Sequence, residues 1–390
     1  MRIVFVFDGL QIGGIERVGV DYINLLSNRN HNVSVINLSP NLVDMYPQLP
    51  SNCKVYEFNF PRKLVPYRYI KLVEFGVLGS IIYPFIYICL NIFNILKKIL
   101  LKHKFRLLKD SDVVIAFSGH FNDLYFVSSN WLPGKKIAWL HGAEFEYRIL
   151  SEGFFLLYKK IKNLVCLSEL CDITCRNFNK KNSIRKELIY NPILITERII
   201  DQKKVNDLKR VYGDFVLMVG RLAPDKDQKT AILAMNYLNH KRNTKINILF
   251  AGDGTNRKDL ELFVLQNDAQ DYVHFIGNCF DIQNYYSAAL IYVHSSPQEG
   301  LPTVLLEALS FGLPIASTDS IPGVREILGN NEYGLISPVG DWKALGENIN
   351  VLLSDEKLRV DLSFKGKQRV KLFSKDIAIS KLEKYISGLK

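Results

Sequence analysis

The sequence predicts an α/β chain of two doubly wound, Rossmann-like domains. Its 390 residues are enough for two separate cores, and 48% hydrophobic with 23% charged residues is a globular composition. Short apolar runs such as Ile3–Phe7 and Asp214–Val219 end in glycine-bearing turns, as buried parallel strands do. Two further runs, Ala289–Ser295 and Ile315–Thr318, flank a helical stretch and form a βαβ crossover.

In chain order, Ile3–Phe7 is a first strand. The loop from Asp8 through Gly13, Gly14, Ile15, Glu16 and Arg17 leads into a helix over Val18–Ser27 and a strand over Asn32–Leu38. The glycine pair could let backbone approach a phosphate, or could simply make a tight turn; it is not the G-x-G-x-x-G fingerprint. Strands follow at Asp112–Phe117 and Lys136–Leu140, the second ending in His141 and Gly142. A histidine there can serve structure or substrate. Asn163–Leu167 is a strand, with Ser168 as N-cap of a helix over Glu169–Phe178. Leu188–Ile193 leaves the first domain, and the charged stretch Glu197–Arg210 reads as the interdomain connection.

The second domain opens on Asp214–Val219, which ends in Gly220 and Arg221 and delivers Lys226 five residues later. Two cations at one strand end suit a diphosphate, although surface cations would look the same. Strands over Ile246–Phe250 and Val273–Gly277 bracket the turn Gly252-Asp253-Gly254. In the crossover, Glu299 precedes the helix and Glu307 falls on its second turn, at the strand ends where such sheets bind ligands. Carboxylates beside an anion site suit a sugar's hydroxyls. On spacing alone, a capping Glu299 and a solvated Glu307 are equally allowed. Helices over Asp355–Lys371 and Asp376–Leu389 close the chain.

Together these segments resemble a GT-B glycosyltransferase of the retaining family 4, over most of the chain and most strongly from Val211 to Pro338. The E-G-L-x-x-x-x-x-E string of Glu299, Gly300, Leu301 and Glu307 implies donor-sugar contact by Glu299 and ribose contact by Glu307. The G-R-L-x-x-x-K string implies that Gly220, Arg221 and Lys226 meet the donor phosphates. G-G-x-E brings Gly14 to the donor, W-L-H-G brings His141 to the sugar, and Gly252 flanks the nucleotide. Pro302 and Leu194 depart from the family pattern. The resemblance implies two domains facing a cleft, an acceptor domain over 1–195, a donor domain over 196–372, and a helix over 373–390 crossing back to the first. It further implies transfer of a hexose or N-acetylhexosamine from a nucleotide-diphosphate sugar, UDP favoured, without metal or other cofactor. A polyprenyl-diphosphate-linked glycan is the expected acceptor, in O-antigen or capsule assembly. A nucleotide-sugar epimerase or hydrolase, or a silent nucleotide-binding subunit, is the alternative.

A net charge of +11 and a pI near 9.2 favour anionic partners, nucleotide or membrane, and no nucleic-acid motif accompanies them. Cys166, Cys171 and Cys175 are read as reduced thiols, and the two D-x-D strings at Asp110–Asp112 and Asp225–Asp227 are set aside as metal sites. Ile3–Phe7 is too short for a signal peptide, so a cytoplasmic, membrane-peripheral chain is expected. An insert over about 60–110 carries the membrane expectation. Phe75–Leu96 has no charge over 22 residues, yet a span would split the first sheet, and Pro84 should break the run. Asn91, Asn94, Lys98, Lys102 and Lys109 share one helical face, Phe93, Leu96, Leu100 and Leu107 the other, with Lys97, Lys104 and Arg106 at the polar edge. That pattern predicts a basic helix lying in an anionic interface, the alternative being a helical hairpin buried in the first domain.

Overall fold

A computed structural model describes residues 1–102, 108–130, 132–141, 152–169, 184–194 and 198–389. The helix expected over Glu169–Phe178, Gly142, Cys171, Cys175, Lys104, Arg106 and Leu107 therefore lie wholly or mostly outside the described residues. The chain forms two compact units, Met1–Pro192 with Ala378–Lys390, and Ile193–Ile377.

The first unit holds β1 (Arg2–Phe7), α1 (Gly14–Asn28), β2 (Asn32–Asn37), β3 (Lys54–Glu57), α2 (Gly76–Leu101), β4 (Val113–Ala116), α3 (Phe121–Val127), β5 (Lys135–Leu140), α4 (Glu152–Ile161), β6 (Asn163–Cys166) and β7 (Arg185–Leu188). Its seven strands are parallel in the order β3-β2-β1-β4-β5-β6-β7. Both faces are covered, which is why β1 is buried from Ile3 to Phe7 without alternation. Phe5, Phe7, Tyr22, Phe117 and Trp139 pack on one face, and Val4, Val6, Val114 and Ala116 join the core on the other. Helix α1 starts earlier than its apolar pattern, at the glycine pair, with Arg17 N–H closing onto the Gly13 carbonyl at 3.0 Å.

Helix α2 departs from expectation in two ways. It runs unbroken through Pro84 for 26 residues, about 39 Å, since one proline removes only one rung of the ladder. Two of its polar residues, Asn94 and Lys98, also face the protein. Asn94 and Lys98 are its buried polar side chains, Asn94 donating to the Leu64 carbonyl at 3.2 Å and Lys98 Nζ lying 3.5 Å from the Tyr125 ring centre. Lys97 donates to the Asn59 carbonyl. Phe93, Leu96 and Leu100 point outward, with Val77, Leu78, Ile81, Phe85 and Ile88 before them. The helix is therefore no buried hairpin, and the face it exposes is apolar, not basic. Burial, then the charges of Lys160 and Lys136, push the Lys98 ammonium down to about 7. Strands β1 and β4, which precede and follow α2, pair directly from Ile3–Val113 to Val6–Ala116, so α2 cannot cross a bilayer without parting them.

The second unit holds α5 (Gln202–Tyr212), β8 (Phe215–Val219), α6 (Gln228–Arg242), β9 (Asn247–Ala251), α7 (Arg257–Gln266), β10 (Val273–Gly277), α8 (Ile282–Ala288), β11 (Ile291–His294), β12 (Gln298–Glu299), α9 (Thr303–Ser310), β13 (Ile315–Thr318), β14 (Ile321–Pro322), α10 (Gly323–Leu328), β15 (Leu335–Ser337), α11 (Trp342–Ser354) and α12 (Glu356–Arg369). Six parallel strands run β10-β9-β8-β11-β13-β15. The segment read as a bare connection is α5, whose N-cap Asp201 accepts from Lys203 N–H at 3.0 Å and Lys204 N–H at 3.2 Å. Only Val205 and Leu208 are buried there, too few to show a core face in the sequence. Helix α13 (Lys375–Ser387) joins the first unit from Ala378 on, where Glu383 meets Arg29 at 2.8 Å and His31 at 2.9 Å.

Candidate active site

In the second unit the strand order reverses between β8 and β11, and the predicted residues gather at the carboxyl ends of those two strands. Gly220 and Arg221 follow β8. Arg221 is largely exposed and pairs only loosely with Asp225, at 3.2 Å. Its carbonyl accepts from Gln228 Nε2 at 2.7 Å, fixing the loop. Lys226 turns inward and holds Glu299 Oε1 at 2.6 Å.

Glu299 lies in β12, paired in parallel with β14, and does not cap α9, whose N-cap is Pro302. Burial raises the Glu299 carboxyl, but His294 and Lys226 more than offset it and hold it below its ordinary value. Glu307 is likewise not solvated: it is buried and accepts from Tyr286 Oη at 2.9 Å. Tyr286 stacks on Tyr292 and Phe311, so the hydroxyl that orients Glu307 is itself fixed. Gly300, Leu301 and Pro302 form the turn into α9. A Cβ on Gly323 would come within 2.6 Å of the Gly300 carbonyl oxygen and of Pro302 Cδ, so that glycine lets α10 buttress the turn.

Gly252 has φ +142°, and a Cβ there would lie 2.0 Å from the Gly220 carbonyl oxygen. The approach it permits is to the neighbouring loop of its own chain. Gly220 and Gly14, by contrast, have nothing within 4 Å of such a Cβ. Gly252→Ala should lower the unfolding free energy by about 1–3 kcal/mol in urea titration, while Gly220→Ala should leave it nearly unchanged. Equal stability of the two variants would remove this distinction.

Both D-x-D strings have structural partners. Asp227 caps α6, accepting from Thr230 Oγ1 at 2.6 Å, Asp225 pairs Arg221, Asp110 pairs Arg2 at 3.1 Å and Asp112 accepts Arg2 N–H at 2.7 Å.

The first unit has its own reversal point, between β1 and β4. His141, just past β5, places Nε2 2.5 Å from the Phe117 carbonyl oxygen. A carbonyl only accepts, so Nε2 carries the proton. Burial pushes the imidazole down to about 3, which keeps it neutral. Beside it is a cluster the sequence reading missed. Asp8 is buried, and its carboxylate accepts from Asn122 Nδ2 at 2.7 Å and Arg62 Nε at 2.9 Å, with His120 Nδ1 at 3.5 Å. Asp123 accepts from the N–H groups of Gly119 and His120 at 2.9 and 2.8 Å, and burial pushes its carboxyl up to about 7. Burial lowers His120, but its contacts with Asp8, Asp123 and Glu16 raise it overall. The available signal was positional: Asp8 and His120 each lie just beyond a buried strand. Glu16 folds back over Gly13, where a Cβ would meet its Oε2 at 2.3 Å, and that accounts for the glycine.

Two units, each built on a parallel sheet with its own reversal point, give the chain the GT-B fold. Residues 200–369 match the family Glycosyl transferases group 1. An uncharacterized glycosyltransferase of Haemophilus influenzae is 25% identical over 386 residues, spanning 97% of this chain and 96% of its own. In Campylobacter jejuni, N-acetylgalactosamine-N,N'-diacetylbacillosaminyl-diphospho-undecaprenol 4-alpha-N-acetylgalactosaminyltransferase is 30% identical over 202 residues, 52% of this chain and 53% of that one. The crystal structure of Anabaena HepE in complex with UDP superposes with a TM-score of 0.77 at 17% identity, over the whole of both chains.

Proposed function

We propose that this glycosyltransferase moves a hexose or N-acetylhexosamine from a UDP-sugar, with retention at the anomeric carbon, to a polyprenyl-diphosphate-linked glycan in bacterial surface-polysaccharide assembly. The observation that carries the reading is the constellation at the β8/β11 reversal: two cations, two oriented carboxylates and a helix N-terminus around one strand edge. The UDP complex of HepE and the diphospho-undecaprenol acceptor in the Campylobacter enzyme's name support the two substrate classes.

In this reading Arg221 forks onto the diphosphate, Lys226 adds a point charge, the open backbone at Gly220 admits phosphate, and Gly14, open in the first unit, serves the donor as well. Glu307, held by Tyr286, takes the ribose hydroxyls, and Glu299 takes those of the sugar. Neutral His141, with its proton on Nε2, keeps Nδ1 as an acceptor for a sugar hydroxyl. Asp8 and His120 serve the acceptor. As the bond from C1 to the phosphate oxygen breaks, the acceptor oxygen bonds C1 from the same face and its proton passes to the departing phosphate. Arg221 and Lys226 neutralise the growing charge, so no metal is required. The enzyme works from the cytoplasmic membrane surface, against which α2 lays its apolar side.

The deciding assay offers a panel of UDP- and GDP-sugars with polyprenyl-diphosphate acceptors in the presence of EDTA, reading product mass and anomeric configuration by proton NMR. A retained linkage is expected. An inverted one would sink the mechanism, nucleotide release at full rate without acceptor would favour a hydrolase or epimerase, and binding without turnover a silent subunit.

A further inference from the structure

Strand β11 ends in a histidine to which the donor-site reading gives no part. His294 is 2% exposed, and neither of its ring nitrogens has a hydrogen-bond partner among the described residues. Its Nε2 stands 3.5 Å from Glu299 Oε1, the same oxygen that Lys226 Nζ holds at 2.6 Å. At 3.5 Å the imidazole is short of a hydrogen bond, so one oxygen is committed to the lysine while the histidine stands behind it unpaired. Buried polar groups are nearly always partnered, and an apolar side chain would fill this position without the loss. Burial pushes the imidazole down to about 4, so near neutrality it carries a single N–H. Glu299 and Lys226 are the charged groups that act on it.

Lys226 cannot neutralise Glu299 and a diphosphate at once. When the ammonium turns to a phosphate, a largely buried carboxylate loses its cation; the Ser296 hydroxyl also reaches this carboxylate, but the group that faces the oxygen the lysine leaves is His294. About half an ångström of approach converts the 3.5 Å separation into a hydrogen bond.

We propose that His294 is a positioning residue for Glu299, which takes over the carboxylate by an N–H hydrogen bond when a nucleoside diphosphate draws Lys226 away. The inference rests on the reading of the second unit as the donor site. It makes the site sequential: filling the phosphate half releases Lys226, and the histidine then keeps Glu299 ionised and aimed for the sugar half. A histidine that merely filled space would be indifferent to the charge on Glu299, and the test turns on that difference.

The full chain is titrated calorimetrically with UDP, and with GDP in parallel, for wild type, His294→Phe, Glu299→Gln and the double variant. Phenylalanine keeps the volume and removes the N–H. With Glu299 present, His294→Phe should weaken UDP binding about tenfold, and in the Glu299→Gln background by less than about twofold, because a neutral amide needs no replacement partner. His294→Gln, which retains an N–H donor, should lie within about threefold of wild type. An equal factor with and without the Glu299→Gln change, no effect at all, or a His294→Gln as impaired as His294→Phe would overturn the proposal. Failure of the wild type to bind either nucleotide would overturn the donor-site reading and the proposal with it, whereas UDP binding with a flat cycle removes His294 alone.

Discussion

Lys226→Ala should lower kcat by about a hundredfold to a thousandfold, the scale of one lost electrostatic contact to a developing anion. Arg221→Ala should instead raise the donor KM more than it lowers kcat. The difference comes from where the two cations sit before a donor arrives. Arg221 is exposed and loosely paired, and can meet a phosphate at once. Lys226 is bound to Glu299 at 2.6 Å, so its gain from the ground-state diphosphate is reduced by the pair it must break. Its advantage grows only as charge accumulates on the leaving group, and that is an effect on kcat. Removing Lys226 also strips Glu299 of a cation that holds its carboxyl below the ordinary value. The sign follows from linkage: a depressed carboxyl contributes stability that is present above its unfolded pKa and lost as pH falls through the folded one. Wild type should therefore lose stability toward acid pH more steeply than Lys226→Ala. Steady-state kinetics of the two variants with one donor decides the assignment, and a Lys226→Ala enzyme with near wild-type kcat would remove it.

Much of the frame was legible because parallel strands buried on both faces leave unbroken apolar runs: Ile3–Phe7, Asp214–Val219 and Ala289–Ser295 could be read directly, and they contain all but the end residue of β1 and the whole of β8 and β11. The positions of Arg221, Lys226, Glu299 and Glu307 followed from their places after those strands. What each residue touches did not. Nothing in the spacing shows Lys226 closing on Glu299, or Tyr286 reaching Glu307 from another helix. The cluster of Asp8, Arg62, His120 and Asn122 joins side chains up to 114 positions apart, and the pairing of β1 with β4 brings Asp8 to His120 and Asn122. Helix α5 was missed for the opposite reason: a short helix with two buried residues leaves almost no period to read. The inverted orientation of α2 was beyond any wheel, because a wheel separates two faces without saying which one meets the protein.

That inversion changes what should hold the enzyme to a membrane. An interfacial helix that presents lysines binds anionic vesicles and is released by salt. Here Lys98 is packed against Tyr125 and Lys97 is bonded to a backbone carbonyl, while Val77 is 80%, Ile81 67%, Phe85 70% and Ile88 56% exposed. Burying half of each of those four side chains in hydrocarbon contributes about 1 kcal/mol apiece, or about 4 kcal/mol together, near a thousandfold in partitioning. The wild-type protein should therefore float with neutral as well as anionic liposomes and stay bound in 1 M salt, where the Debye length is only about 3 Å. Replacing Val77, Ile81, Phe85 and Ile88 by serine should leave it at the bottom of the gradient with its unfolding transition intact, since none of the four is in the core. Lys98→Glu should behave differently, losing stability rather than membrane affinity, because the carboxylate would be buried against an aromatic ring. Flotation that vanishes at high salt would restore the basic interface, and a wild type that stays at the bottom with every lipid would take the membrane out of the proposed function.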